Sequence, residues 1–225
     1  MRLDASGENN IIVNQYKFMF NFILNKYNEY CIEWDNLYNG KINLKKKCIC
    51  DIYNVEKGEF TLEFDKYINS FNEIVEDMEF DLICKLGESV QTTENFKFTS
   101  RIKTRESLIQ KVLKKMKEDE GKFSINKCIN DLLGLRIIDN HYKENKKHID
   151  NIVEELKKTG SKVKSIERDL VTGYKAYHIY IIRDNYTFPI EIQIWDKEHE
   201  KKNIDLHSEH KENYLKDIIQ DYHKY

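Results

Sequence analysis

The sequence predicts an α+β fold: a mixed sheet of about five strands flanked by helices, with further helices at the N-terminus. Two observations carry this. Ahead of Gly87, apolar residues recur every three or four positions, the period of amphipathic helices. After Gly87 the period drops to two in several short segments, and helical stretches intervene between them.

The first helix is predicted over residues 9–38, where Ile12, Tyr16, Phe20, Ile23 and Tyr27 form one stripe. A break follows near Gly40. The second helix is predicted over 60–88, with Phe64, Ile68, Phe71, Ile74 and Met78 on one side. Such an aromatic stripe packs into a core more often than it binds a cofactor. "NFKFTSRIK" (95–103) alternates and reads as a strand. Thr104 can cap the helix that follows over 105–119, with Ser107 as a weaker alternative. A short helix over 124–133 leads into the strand "GLRIID" (134–139). A helix over 144–160 ends at Gly160. Three strands are predicted at 161–169, 174–184 and 188–195, and a charged helix from Asp196 carries Ile204, Tyr214, Leu215 and Ile218. This divides the chain into an N-terminal helical region, 1–90, packed on a second domain, 91–225.

Composition narrows the function classes. Of 225 residues, 40% are hydrophobic and 12% aromatic, which separates the chain from a disordered one. The net charge of −2 argues against a generic nucleic-acid coat, though not against a local basic patch. Five cysteines are scattered, and Cys48-Ile-Cys50 is too tight for a zinc knuckle, so reduced cytoplasmic thiols are expected. No apolar run approaches the roughly 20 residues of a membrane span, so no membrane partner is expected. Lysine is everywhere, but five of the six arginines fall between 101 and 183. Clustered arginine suits bidentate recognition of phosphate or carboxylate; chance explains it about equally well.

Four constellations carry chemistry. Arg101 and Lys103 share a strand face, and Ser107 and Lys111 share a helix face one turn apart. They can surround a polyphosphate at a helix start, or they can be a solvated lysine-rich surface. Asp131 precedes a buried strand, where it can cap or ligate. Tyr174, Ala176 and His178 share a face that reads either as an open patch on which a base can stack or as the outer side of a strand. In "PIEIQIW", Ile190, Ile192 and Ile194 point one way, and Glu191, Gln193 and Trp195 the other. Asp131 and Glu191 together offer two carboxylates of the kind that hold Mg²⁺.

The order of the pieces adds weight. "SRIKTRESLIQK", "NDLLGLR", "GYKAYH", "EIQI" and "SEHKENY", over about residues 95–215, resemble the synthetase domain of the RelA/SpoT-type alarmone synthetases. The resemblance implies a nucleotidyltransferase-like sheet and transfer of pyrophosphate from ATP to the 3′-hydroxyl of GDP or GTP. It implies that Arg101, Lys103, Ser107, Lys111 and Arg136 bind ATP. Asp131 and Glu191 would hold Mg²⁺ as the catalytic carboxylates, and Glu191 would also accept the hydroxyl proton. Tyr174, His178, Gln193, Arg168 and Trp195 would form the acceptor side. The sequence departs from the family pattern at four places. Asn130 stands where arginine is usual, Asp169-Leu170 replace a Pro-Lys pair, Ala176 replaces serine, and Trp195 replaces arginine. Small relatives that pyrophosphorylate the 3′ end of tRNA give an alternative reading, and a degenerate nucleotide-binding module a second. The N-terminal helices could support a homo-oligomer.

Overall fold

The computed structural model describes residues 5–91, 95–158 and 162–209. Two long helices come first, α1 (Ala5–Leu37) and α2 (Leu62–Gln91). The predicted stripes are the buried ones: Tyr16, Phe20, Ile23 and Tyr27 on α1, and Phe64, Ile68, Phe71 and Met78 on α2. The connection between them holds more than a break. It carries a hairpin of two-residue strands, β1 (Tyr53–Asn54) and β2 (Glu59–Phe60), turning at Gly58 with φ +67°. Strands this short show no period, which is why the sequence reads as a gap there.

The main sheet contains β3 (Phe96–Ile102), β4 (Leu133–Asp139), β5 (Lys162–Asp169), β6 (Lys175–Ile182) and β7 (Ile190–Asp196), in the order β3-β4-β7-β6-β5. Only β4 and β7 run parallel; the other three pairings are antiparallel. The helices between strands are α3 (Arg105–Lys117), α4 (Ile125–Cys128) and α5 (Tyr142–Lys158). The short helix expected over 124–133 is therefore a single turn, and the chain through Asn130 and Asp131 is not helical. Thr104 caps α3 as expected, its hydroxyl accepting from the Ser107 N–H at 3.3 Å. A last helix, α6, covers 200–209 of the described residues. Gly160, Tyr214, Leu215 and Ile218 lie outside the described residues, as does the end of "SEHKENY".

One sheet face is core. Leu133, Leu135 and Ile137 of β4, Ile190, Ile192 and Ile194 of β7, and Tyr177, Ile179 and Ile181 of β6 join α1, α2 and α5 in one apolar cluster. Aromatic contacts continue this core into the N-terminal helices, where Phe71 of α2 and Phe188 lie 5.2 Å apart. Polar ties span the same seam. The Tyr16 hydroxyl donates to buried Asp139 at 2.7 Å, and the Tyr27 hydroxyl donates to the Phe188 carbonyl at 2.8 Å. α1, α2 and α5 cover this face; on the opposite face only α6 packs, against one side, which leaves the rest to carry polar chemistry. Among the described residues no helix is long and apolar enough to cross a membrane.

Candidate active site

The strand registers define the second face. One line across the sheet runs Arg101, Gly134, Glu191, Tyr180. The next runs Thr99, Arg136, Gln193, His178, Ile166. Gly134 is the residue that keeps the first line open. A Cβ there would meet nothing nearer than the Arg101 carbonyl oxygen at 3.8 Å, so a trough is left between Arg101 and Glu191. This trough is the floor of a cavity of about 320 Å³ lined by Thr99, Arg101, Arg136, Glu191, Gln193 and His207, among others.

Glu191 is 6% exposed, and each of its oxygens accepts a hydrogen bond. Oε1 accepts from His178 Nδ1 at 2.7 Å, and Oε2 from Gln193 Nε2 at 2.7 Å. An ionised carboxylate can only accept, so Nδ1 of His178 must carry a hydrogen. Nε2 faces the Tyr174 hydroxyl at 3.0 Å. Burial alone would raise the Glu191 pKa; the hydrogen bond and charge of His178 outweigh it and hold the group below the usual carboxylate range. Gln193 passes the network to Arg136, 3.3 Å from its Oε1.

A second cluster sits at the corner between β3, α3 and β4. Lys103 Nζ lies 2.9 Å from Asp131 Oδ2, and Lys111 Nζ 2.9 Å from Asp131 Oδ1. Lys111 also donates to Asn130 Oδ1 at 3.0 Å. Burial pushes the Asp131 pKa up, but the two ammonium charges win and lower it to about 2. Burial draws the Lys103 pKa down, against the pull of Asp131. The two carboxylates are close enough that the charge of Asp131 raises the Glu191 pKa.

The predicted residues thus fall into three groups. Arg101, Arg136, Glu191 and Gln193 line the cavity. Lys103, Lys111 and Asp131 form the corner, with Ser107 one turn back along α3, where its Oγ lies 3.1 Å from that of Thr104. Tyr174, His178 and Trp195 pack together as a far wall behind the residues that line the cavity. Arg168, beyond them on β5, reaches the Tyr180 hydroxyl.

Two readings of the far wall need correction. The face of Tyr174, Ala176 and His178 is no open patch: Ala176 is buried with Trp195 and Ile138, and Tyr174 packs against them. Nor does Trp195 offer a ring to a ligand. It is 0% exposed; the Arg136 guanidinium lies 3.6 Å from its centroid, and the His207 ring stacks on it at 5.6 Å and 16°. The cover comes from α6. Its contribution was missed in the sequence, although Asn203, Ile204, His207 and Ser208 stand out at one-face spacing in a charged helix. Burial and the charges of Arg136 and Arg101 lower the His207 pKa to about 4, so the ring is neutral at pH 7. Arg136 Nε and His207 Nε2 are both buried without a hydrogen-bond partner, polar atoms that a bound molecule can satisfy.

Cations and carboxylates on one face of a mixed sheet, around an open trough, define an anion-handling α+β domain. A family model described as a region found in RelA / SpoT proteins matches residues 100–218, more than half of the chain, and the chain belongs to that family of pyrophosphokinase-type enzymes. Solved structures similar to it include a GTP pyrophosphokinase family protein from Streptococcus pneumoniae, 21% identical over 69% of this chain and 79% of that one, TM-score 0.44. Small alarmone synthetase 1 from Bacillus subtilis bound to AMPCPP is 20% identical over 70% and 81%, TM-score 0.39. The smu.1046c protein from Streptococcus mutans UA159 is 26% identical over 67% and 77%, TM-score 0.38. No curated protein sequence matches the chain.

Proposed function

We propose that this chain transfers the β,γ-pyrophosphate of ATP to the 3′-hydroxyl of GDP or GTP. The observation that carries the reading is the register line Arg101–Gly134–Glu191, which sets a cation and a carboxylate on either side of an open trough. The acceptor oxygen forms a bond to the β-phosphorus, the bond from that phosphorus to the α,β-bridging oxygen breaks, and AMP leaves. Such a transfer depends on in-line placement and charge neutralisation more than on a special nucleophile. Arg101, Arg136, Lys103 and Lys111 bind the donor; Ser107 adds a hydroxyl at the start of α3. Glu191 takes the proton of the attacking hydroxyl. Its depressed pKa makes it a weak base, which suits a loose transition state in which that proton leaves late. Tyr174, His178, Gln193 and Arg168 orient the acceptor, and Trp195 acts behind them by holding Arg136.

Asp131 and Glu191 fit Mg²⁺ chemically, being hard oxygen donors that already sense each other's charge. Bound there, the ion supplies positive charge to the phosphate oxygens. The unpaired thiols of all five cysteines agree with a cytoplasmic setting.

The test is to incubate the chain with Mg²⁺ and ATP labelled at the β and γ positions, offering GMP, GDP, GTP and tRNA separately. Label on GDP or GTP with AMP released in equal amount is expected. Label on tRNA alone would replace this reading with tRNA pyrophosphorylation. Nucleotide binding without turnover would mark a degenerate module.

A further inference from the structure

The corner cluster carries an inference about binding order. Both oxygens of Asp131 are taken by ammonium groups at 2.9 Å, and the side chain is 16% exposed. A divalent ion arriving there would add two positive charges to two already facing a single carboxylate. Repulsion at these distances disfavours that unless one ammonium leaves. The two lysines are not equivalent. Lys103 is the deeper, at 10% exposure against 26% for Lys111. Lys111 is also the one that Asn130 holds, at 3.0 Å. That second anchor depends on the identity of residue 130: an amide oxygen accepts from ammonium, whereas an arginine would repel it. Lys111 lies one turn from Ser107 on α3, so its flexible stem can carry the ammonium along the helix towards an anion at the α3 start.

We propose that Lys111, held jointly by Asn130 and Asp131, occupies the cation position of Asp131 in the nucleotide-free chain, and that the donor's phosphates draw it off. The divalent ion therefore binds with or after the nucleotide, and poorly to the free chain. This deepens the reading of Asp131 as a metal ligand and rests on it.

The test is Mn²⁺ binding to the full chain without nucleotide, followed by loss of the free-ion electron paramagnetic resonance signal. Asn130→Ala removes the anchor with no change of charge, so a gain there reports release of Lys111 rather than a simpler balance of charges. It should tighten Mn²⁺ binding about tenfold, the lower end for a hydrogen bond to a charged group. Lys111→Met should tighten it further, and adding Asp131→Asn to either variant should abolish the gain. If neither single variant binds Mn²⁺ more tightly than the wild type, while Asp131→Asn weakens wild-type binding, Lys111 is not the occupant although Asp131 is a ligand. If Asp131→Asn changes Mn²⁺ binding in no background, the ligand reading itself fails. Circular dichroism checks folding, and should Lys111→Met not fold, Asn130→Ala decides alone.

Discussion

The guanidinium of Arg136 packs on the ring of Trp195, 3.6 Å from its centroid, at a position where the family resemblance leads one to expect a second arginine. Indole and guanidinium attract; two guanidinium groups at this spacing would repel. The same ring supports His207 and lies against Ala176, where serine is usual. The departures at 176 and 195 are thus one structural unit. Restoring the family residue with Trp195→Arg should therefore harm this chain. It buries an unpaired cation beside Arg136, at a cost of about 3–5 kcal/mol. In a chain of this size that lowers the melting temperature by roughly 10 °C. Trp195→Phe should lower it less, since a ring remains for Arg136 to pack on. Equal melting temperatures for wild type and Trp195→Arg would refute the account.

Glu191 is predicted to be harder to replace than its neighbours. Glu191→Gln puts an amide where both oxygens now accept, so the amide nitrogen faces a donor from His178 or Gln193. Turnover should fall by about 10²–10³-fold, the range for loss of electrostatic stabilisation in a transition state. His178→Gln keeps a donor of similar reach and should lose about tenfold to a hundredfold. Steady-state kinetics with ATP and GDP decide the order, and a larger loss in His178→Gln would reverse the two assignments.

The corner sets an acid limit. The folded Asp131 pKa is about 2, below its ordinary value near 4, so between these values the unfolded chain binds more protons. Its stabilising effect is complete above about pH 4 and is lost as pH falls towards 2. Urea denaturation from pH 5 down to pH 2 should show stability falling more steeply in the wild type than in Asp131→Asn, which has no carboxyl to protonate. Parallel curves would mean that the two lysine contacts do not hold in solution.

The strands and their faces were legible because a period of two fixes which side chains meet. Once Ile190, Ile192 and Ile194 are core, Glu191, Gln193 and Trp195 must share the other face. The pairing of Arg101 with Gly134 and Glu191 was not legible, because register across β3, β4 and β7 depends on contacts far apart in sequence. The short hairpin at Tyr53 and Phe60 was hidden by its length. The cover over Trp195 was hidden for another reason: α6 is so charged that its buried residues make no apolar stripe. Asn203 and His207 are polar by sequence; Asn203 is buried at a strand start, and His207 is half-buried against an indole.

His207 gives the cover a pH signature. Its folded pKa is about 4 against an ordinary value near 6.5, so the unfolded chain takes up a proton first as pH falls. The stability due to the stack is complete above about pH 6.5 and is lost progressively towards pH 4. The groups that act on the ring are Arg136, Arg101, Glu191 and His178. His207→Phe keeps a ring on Trp195 without a titrating group, so its stability should change less than that of the wild type between pH 7 and pH 4. Identical profiles would show that the ring is not held neutral.

Asn203 anchors the same helix. It is fully buried, its Nδ2 donating to the Lys175 carbonyl at 2.8 Å and its Oδ1 accepting from the Lys175 N–H at 3.2 Å. One side chain thus pairs both backbone groups at the start of β6 and seats α6 four residues before His207. Asn203→Ala leaves both groups of Lys175 unpaired, at about 1–3 kcal/mol each. Asn203→Asp keeps the acceptor but sets a buried carboxylate oxygen against the Lys175 carbonyl, so it should destabilise at least as much as Asn203→Ala. Freed at Asn203, α6 should also shift His207 on Trp195. In a Trp34→Phe background, where Trp195 is the remaining tryptophan, Asn203→Ala should raise its solvent accessibility to an acrylamide quencher and, through Arg136, raise the Michaelis constant for ATP. A lower melting temperature with unchanged quenching would confine Asn203 to the strand start and separate it from the cover.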